Sequence, residues 1–366
     1  MSEPGGFAIL GTKDRRLIAF RDPNGLKPLY FSKCEGVIAF ASERKALWRI
    51  GLRDVKRVSP GTLYAINDQR LRESHIAQFR RPRERRVTFD HARRELSRAL
   101  KFSIRKATHG LRRVAVAFSG GLDSALTAVL ARTLCDVELV SVGLSNSSEL
   151  QTAEGYAHEL GLPLTKEAFA PDELENYVKR VVWLIEEPNL MKVSVAVPLH
   201  WAAKVASKKN HTVMLCGQGS DELYGGYYKY ARILDTEGRA ALRNQLYRSV
   251  VEAAEVNYER DEQATAPSGV ELRTPFADLY VIKLSMEIPS EFKVKDQNDL
   301  TRKWILRAVA RDLRVPDGMV WRPKRAIQHG TGVENAIIRL AKSRKLSAHS
   351  YLTKIFEEVR RMDKVP

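Results

Sequence analysis

Residues 114–131, VAVAFSGGLDSALTAVLA, interrupt an apolar run with two glycines, two serines and an aspartate before helix-forming residues resume. VAVAF reads as a fully buried parallel strand and SALTAVLA as the helix packed on its sheet. The loop between them then lies at the carboxyl edge of the sheet, where open α/β proteins bind ligands. Gly120 and Gly121 let backbone N–H groups approach an anion with no side chain in the way, Ser119 and Ser124 add hydroxyl donors, and Leu122 belongs to the same loop. The loop is expected to cradle phosphate. A carboxylate beside phosphate is repulsive without a cation between them, so Asp123 is expected to be a ligand of Mg2+.

The elements that must hold this loop follow from the patterning around it. Residues 1–80 alternate short apolar runs (FAIL, LIAF, PLYF, VIAFAS, TLYAI) with turns at DPNG, KCEG and SPG, the rhythm of an antiparallel sheet. Over residues 81–366 the rhythm changes to strand, helix, strand, as in VELVSVGL, ELQTAEGYAHELG, PLHWAAKVASKK and HTVMLCG. That alternation marks a parallel, doubly wound sheet covered by helices. The last third is helical by pattern. The predicted class is therefore α/β with a helical C-terminal part, preceded by a small antiparallel β domain.

Composition narrows the function classes. The 366 residues are 44% hydrophobic and 29% charged, and no apolar run reaches the roughly 18 residues of a membrane span. The first residues, MSEPGGFAIL, show no secretory signal pattern, and a cytoplasmic location is the expectation. Cys34, Cys135 and Cys216 form no CxxC or metal-ligand spacing and read as small core residues. The net charge of +17 is concentrated in residues 79–113. Val87, Phe89, Ala92, Leu96, Ala99, Leu100 and Ile104 are interleaved there, so the stretch reads as a linker and a helix with a solvated basic face rather than a nucleic-acid surface.

SGGLDS resembles the pyrophosphate loop of the N-type ATP pyrophosphatases, which split ATP between the α and β phosphates; the Walker pattern GxxxxGK[ST] is absent. LCGQGSDELYGGYYKY (215–230), GVELRTPFADLY (269–280), RKWILRAVA (302–310) and WRPKRAIQHGTG (321–332) follow in the order of the asparagine synthetase branch, whose signatures they resemble. The resemblance implies an adenine nucleotide alpha hydrolase-like fold. It also implies that Lys303 supplies a cation over the α-phosphate and pyrophosphate, with Asp221 a second carboxylate for Mg2+ beside Asp123. By the same likeness Val142 and Gly143 lie against adenine and Gly217 near the ribose or the acyl-adenylate. Arg273 and Asp278 either shape the acceptor pocket or are structural salt-bridge partners.

Two departures from that family stand out. RDPNGLKPLYF, FASERKALW and VSPGTLYAI resemble only the later part of a class II glutamine amidotransferase domain, an Ntn-type sandwich whose N-terminal cysteine attacks glutamine. Here residue 2 is Ser2, and Cys34 sits mid-chain without a free amine, so no glutaminase activity of the chain's own is expected. Half a sandwich leaves open edges. Either a separate glutaminase subunit docks on residues 1–80, or these residues pack on the synthetase part or on a second copy in a homodimer. The second departure is Gln218, where the family usually has glutamate and an amide cannot take a proton from ammonium: either Glu222 takes over, or ammonia arrives neutral, or the nucleophile is not ammonia, or Gln218 is a tolerated near-isostere. The expected reaction joins aspartate to AMP with release of pyrophosphate, after which ammonia displaces AMP. The alternatives are another carboxylate or a nucleic-acid base as acceptor, or a non-catalytic ATP-binding subunit.

Overall fold

The computed structural model describes residues 6–67, 70–77, 79–170, 173–296, 298, 301–324 and 326–362. Strands β1 (Ala8–Lys13), β2 (Arg16–Arg21), β3 (Tyr30–Cys34), β4 (Val37–Ala41), β5 (Lys56–Arg57), β6 (Thr62–Asn67) and β7 (Arg70–His75) form two antiparallel sheets, ordered β1-β2-β6-β7 and β4-β3-β5. Alternation sets the facing. Ala19 and Tyr64 are cross-strand partners that turn inward and meet Phe31 of β3 and Val58 in one core. Ile9, Phe20 and Leu63 stand opposite one another in register on the other face, and Ile9 is 50% exposed.

The β3 side of this sandwich is covered by the rest of the chain. Tyr30 points away from Phe31, and its hydroxyl donates to Glu259 Oε1. Arg57 Nε reaches Glu259 Oε2 at 2.7 Å, and Arg44 and Lys45 lie 3.1 and 3.6 Å from Glu186. Of the two expected ways to cover residues 1–80, packing on the synthetase part is therefore present, while among the described residues Ile9 stays exposed on the other face and Phe20 and Leu63 are half-buried.

Strands β8 (Arg113–Ala117), β9 (Asp136–Leu144), β10 (Leu164–Phe169), β11 (Val213–Leu215) and β12 (Glu271–Arg273) form a parallel sheet ordered β10-β9-β8-β11-β12. Val114 and Val116 of β8 enter one core with helices Phe89–Ala107 and Leu122–Ala131. Ala115, pointing oppositely, enters the other with helices Leu174–Ile185 and Leu190–Lys208. The chain starts in the middle at β8, runs out to β10 and returns to β11, which makes the β8/β11 edge the switch point where such sheets open a crevice.

The helix of the basic stretch has the expected facing: Ala92, Leu96, Ala99, Leu100 and Ile104 are buried, and Arg94, Arg98 and Arg105 are exposed. Cys216 is buried, but Cys34 is exposed because it closes the β3/β4 hairpin, where no core lies behind it. Among the described residues no helix is long and apolar enough to cross a membrane.

Candidate active site

The loop after β8 is organised before any anion arrives. Gly121 N donates to Ser119 Oγ at 3.3 Å, Ser119 N to Ser124 Oγ at 3.3 Å, and Ser124 Oγ to the Gly121 carbonyl at 3.1 Å. Gly120 takes a left-handed backbone, φ 65°, and a Cβ there would strike Tyr156 and the Arg322 guanidinium. Arg322 itself donates to the Ser119 carbonyl at 2.9 Å and lies over the Tyr156 ring. The helix Leu122–Ala131 starts here, so its free N–H groups open on the same space.

Charges from distant segments meet at this loop. Lys303 Nζ lies 2.8 and 2.7 Å from the two oxygens of Asp123, 180 residues away, and 2.7 Å from Asp221 Oδ1. Ser220 Oγ donates to Asp123 Oδ1 at 2.7 Å and accepts from Lys303 at 3.1 Å. Lys324 Nζ holds the other oxygen of Asp221 at 2.7 Å. Burial alone would raise the Asp221 carboxyl, but Lys303 and Lys324 hold it well below the usual carboxylate range. Burial works against Lys324 as well, and Asp221 and Asp123 override it and raise its pKa.

The backbone is bent to make this meeting. Lys303 lies just before the helix Trp304–Asp312, at its N-cap. Arg302 and Lys303 both have left-handed φ, 47° and 54°. Two consecutive non-glycine residues there are a strained arrangement, of the order of 1–3 kcal/mol each. Arg302 Nε to the Gly226 carbonyl, at 2.9 Å, is part of what holds them. A Cβ on Gly226 would collide with Asp221 Oδ1 and Lys303 Cε, and one on Gly217 would come within 2.6 Å of Asp123 Cβ.

Asp123, Asp221 and Lys324 of this cluster line a cavity of about 520 Å³. One end is apolar, with Val140, Val142, Val195 and Leu199; the other carries Gln218, Glu222, Tyr227, Asn257 and Arg260. Glu222 Oε1 accepts from Tyr227 at 2.7 Å and Asn257 at 2.8 Å, and burial, then neighbouring Asp221, pushes its carboxyl up. Gly121 and Leu122 line a smaller space of about 40 Å³ with Lys303, Arg307, Arg322 and Lys324. Asp123 and Asp221 fit a hard cation that keeps phosphate oxygens as its remaining ligands, since both carboxylates converge on one ammonium position. Among the described residues no three His, Cys, Asp or Glu side chains form a cation site by themselves.

Three expected site residues lie elsewhere. Gly143 does not reach the cavity; it is packed so closely on Ser147 and Thr331 that a Cβ would meet Ser147 Oγ at 2.5 Å. Arg273 is spent on Glu271, at 3.0 and 2.8 Å, and on the Ala107 carbonyl at 2.8 Å. Asp278 caps the helix Leu279–Glu287 through Tyr280 N and pairs with Lys106 at 2.7 Å. Both line a second cavity of about 300 Å³ instead. Sequence reasoning passed over Lys324 and Arg322, although both stand in the quoted segment WRPKRAIQHGTG, and over Ser220, Tyr227 and Asn257.

Comparison with known proteins identifies the family. Residues 95–240 and 234–358 match the Asparagine synthase family, and residues 5–49 the Glutamine amidotransferase domain. A protein of Methanocaldococcus jannaschii, provisionally named asparagine synthetase [glutamine-hydrolyzing] 1, is 35% identical over 385 residues, covering 92% of this chain and 70% of that protein. Asparagine synthetase [glutamine-hydrolyzing] 2 of Oryza sativa subsp. japonica is 27% identical, covering 89% of this chain and 57% of its own length. Asparagine synthetase [glutamine-hydrolyzing] 1 of Bacillus subtilis is 28% identical, covering 68% of this chain and 44% of its own. The chain thus spans 44 to 70% of the length of these relatives. It belongs to the asparagine synthase family of ATP-dependent amide-forming ligases.

Proposed function

We propose that this chain forms the amide of aspartate with ATP and ammonia. The observation that carries the reading is the placement of Lys303 between Asp123 and Asp221, within 2.8 Å of both, at the mouth of the glycine loop. In this reading the pyrophosphate of ATP lies on Ser119, Gly120, Gly121, Leu122 and Ser124, and adenine enters the apolar end beside Val142. Lys303 and Lys324 face the phosphates, where charge develops as the bond to pyrophosphate breaks. Mg2+ held by Asp123 and Asp221 would neutralise phosphate charge when bound. The aspartate carboxylate takes the α-phosphoryl group and becomes β-aspartyl-AMP; ammonia then displaces AMP at the polar end of the cavity.

Cys34 is not a glutaminase nucleophile in this reading, because it lies within β3 and carries no free α-amine. A separate glutaminase, docked over the face of Ile9, Phe20 and Leu63, would supply ammonia when glutamine is the donor. The test is pyrophosphate release with ATP and Mg2+, with and without aspartate, supplying ammonium or glutamine. Aspartate-dependent release, with asparagine formed from ammonium alone, is the expected outcome. Release that needs a different acid or RNA would replace the acceptor, and no release under any of these conditions would end the reading.

A further inference from the structure

The nitrogen that attacks an acyl-adenylate must shed protons: ammonium has no lone pair until it loses one, and the new C–N bond must lose another to become a neutral amide. Residue 218, at the polar end of the cavity, is an amide and cannot receive them. Glu222 borders the main cavity only, and its Oε1 already accepts two hydrogen bonds. Asp261 is placed differently. Among the described residues it alone lines both the main cavity and the second one. It is 1% exposed, its Oδ1 takes Arg260 Nε at 2.7 Å, and its Oδ2 is buried with no hydrogen-bond partner. A buried carboxylate oxygen left without a donor is costly in a folded protein unless it has a use.

We infer that Asp261 is the carboxylate that takes up the proton shed by the incoming nitrogen, at the wall between the two cavities. The inference rests on the amide-forming reading above. An ammonium N–H bond breaks with its proton passing to Oδ2; the freed pair forms the C–N bond, and the C–O bond to AMP breaks with its electrons leaving on AMP. Once the C–N bond has formed, the acylated nitrogen is acidic enough to lose its second proton to water, and Asp261 releases the first to solvent through the second cavity.

The surroundings suit that role. Burial, opposed by Arg260, pushes the Asp261 carboxyl up to about 6, so it is charged at neutral pH yet binds a proton more readily than an exposed aspartate. Glu222 and Glu262 add repulsion, Cys216 and Tyr258 are buried beside it, and His200 on the adjoining helix is turned to the Ala264 carbonyl.

The test compares the unaltered chain with Asp261→Asn, which keeps volume and an acceptor for Arg260, at pH 7. Ammonium-dependent amide formation should fall about 100-fold, the scale of a lost general base. Aspartate-dependent exchange of pyrophosphate into ATP should stay within about threefold, since that step precedes nitrogen attack. Hydroxylamine, largely uncharged at that pH, should still give the hydroxamate at close to the unaltered rate. Adding Gln218→Glu to Asp261→Asn should recover about tenfold of the loss. The inference is overturned if Asp261→Asn leaves the ammonium rate unchanged, or if ammonium and hydroxylamine rates fall together. Where Asp261→Asn does not fold, Asp261→Glu decides: it keeps a carboxyl, and the ratio of ammonium to hydroxylamine rates should stay within about tenfold of the unaltered chain. A ratio that drops by about 100-fold in that variant would overturn the inference. Failure of the underlying reading is visible separately, because the unaltered chain would then make no amide from ammonium.

Discussion

Two charged cavities lie on either side of Asp261, and their charges are used in opposite ways. In the second cavity every cation is bound to the fold itself: Arg273 closes a fork on Glu271 and a backbone carbonyl, and Lys106 pairs with a carboxylate that also caps a helix. Beside the main cavity, which Asp123 and Asp221 line, Lys303 is shared among Asp123, Ser220 and Asp221, and its backbone and that of Arg302 are both left-handed. Partners of the first kind cannot be exchanged without loosening the fold. Those of the second kind are oxygens that phosphate oxygens and a cation could replace. What separates the two cavities is therefore what each charge has left to give, not how many charges line it.

Substitution of Lys303 by methionine tests that contrast most severely. The stem is kept and the charge removed, and the AMP-forming step should fall by about 10²–10³-fold, the usual cost of losing a donor aimed at developing charge. The check is pyrophosphate release at saturating ATP. A loss no larger than that of Arg273→Ala would erase the distinction. Gly226→Ala comes next: its methyl has no room beside Asp221 and Lys303, so the cluster must spread. A loss of about 1–3 kcal/mol in stability, read by denaturant unfolding, should accompany a fall in turnover.

How much of this was legible in the sequence follows from the same contrast. SGGLDS could be read because a strand, a glycine turn and a helix start are local, and their physics is complete within eighteen residues. The antiparallel and parallel halves were legible from periodicity alone. The role of Lys303 came from the family resemblance and not from its own pattern: a single basic residue before a helix carries no local signal, and the fold brings it to Asp123. Lys324 was missed for that reason, its partner Asp221 being set by the fold and not by spacing. For Arg273 and Asp278 the sequence left two readings open, and the structure shows the salt-bridge one. Their motif is real, but Glu271 two residues away and the cap of the next helix account for both side chains.

Titration sharpens the contrast further. The Asp221 carboxyl is held below its ordinary value, so the stability it contributes is fully present above about pH 4 and is lost as pH falls through the lower folded value. The Lys324 ammonium is raised, so its contribution stands below about pH 10.4 and is lost as pH rises through the higher folded value. Between those limits the cluster's contribution should be flat. Asp261 runs the other way: its carboxyl is raised to about 6, and stability is lost as pH rises from about 4 through that value. Lys324→Met leaves Asp221 only one cation, so the acid limb of a melting-temperature profile should move to higher pH. Pyrophosphate release should fall about tenfold, less than for Lys303→Met, because Lys303 still faces both carboxylates.

The smallest effects belong to the second cavity. Arg273→Ala removes a fork to a carboxylate whose side chain is 39% exposed, and Asp278→Asn weakens one pair with Lys106 while keeping an oxygen for the helix cap. Solvent screens the Arg273 fork, so its loss should cost about 1 kcal/mol or less in unfolding; the Lys106 pair is more buried, and Asp278→Asn should cost about 1–2 kcal/mol. Aspartate-dependent exchange of pyrophosphate into ATP should stay within about threefold of the unaltered chain, because neither side chain lines the cavity that holds the phosphate cluster. A change confined to the KM for aspartate would instead mean that the acceptor reaches past Asp261 into the second cavity. The wall between the two would then be part of the substrate site, and the charges assigned to the fold would have a second use.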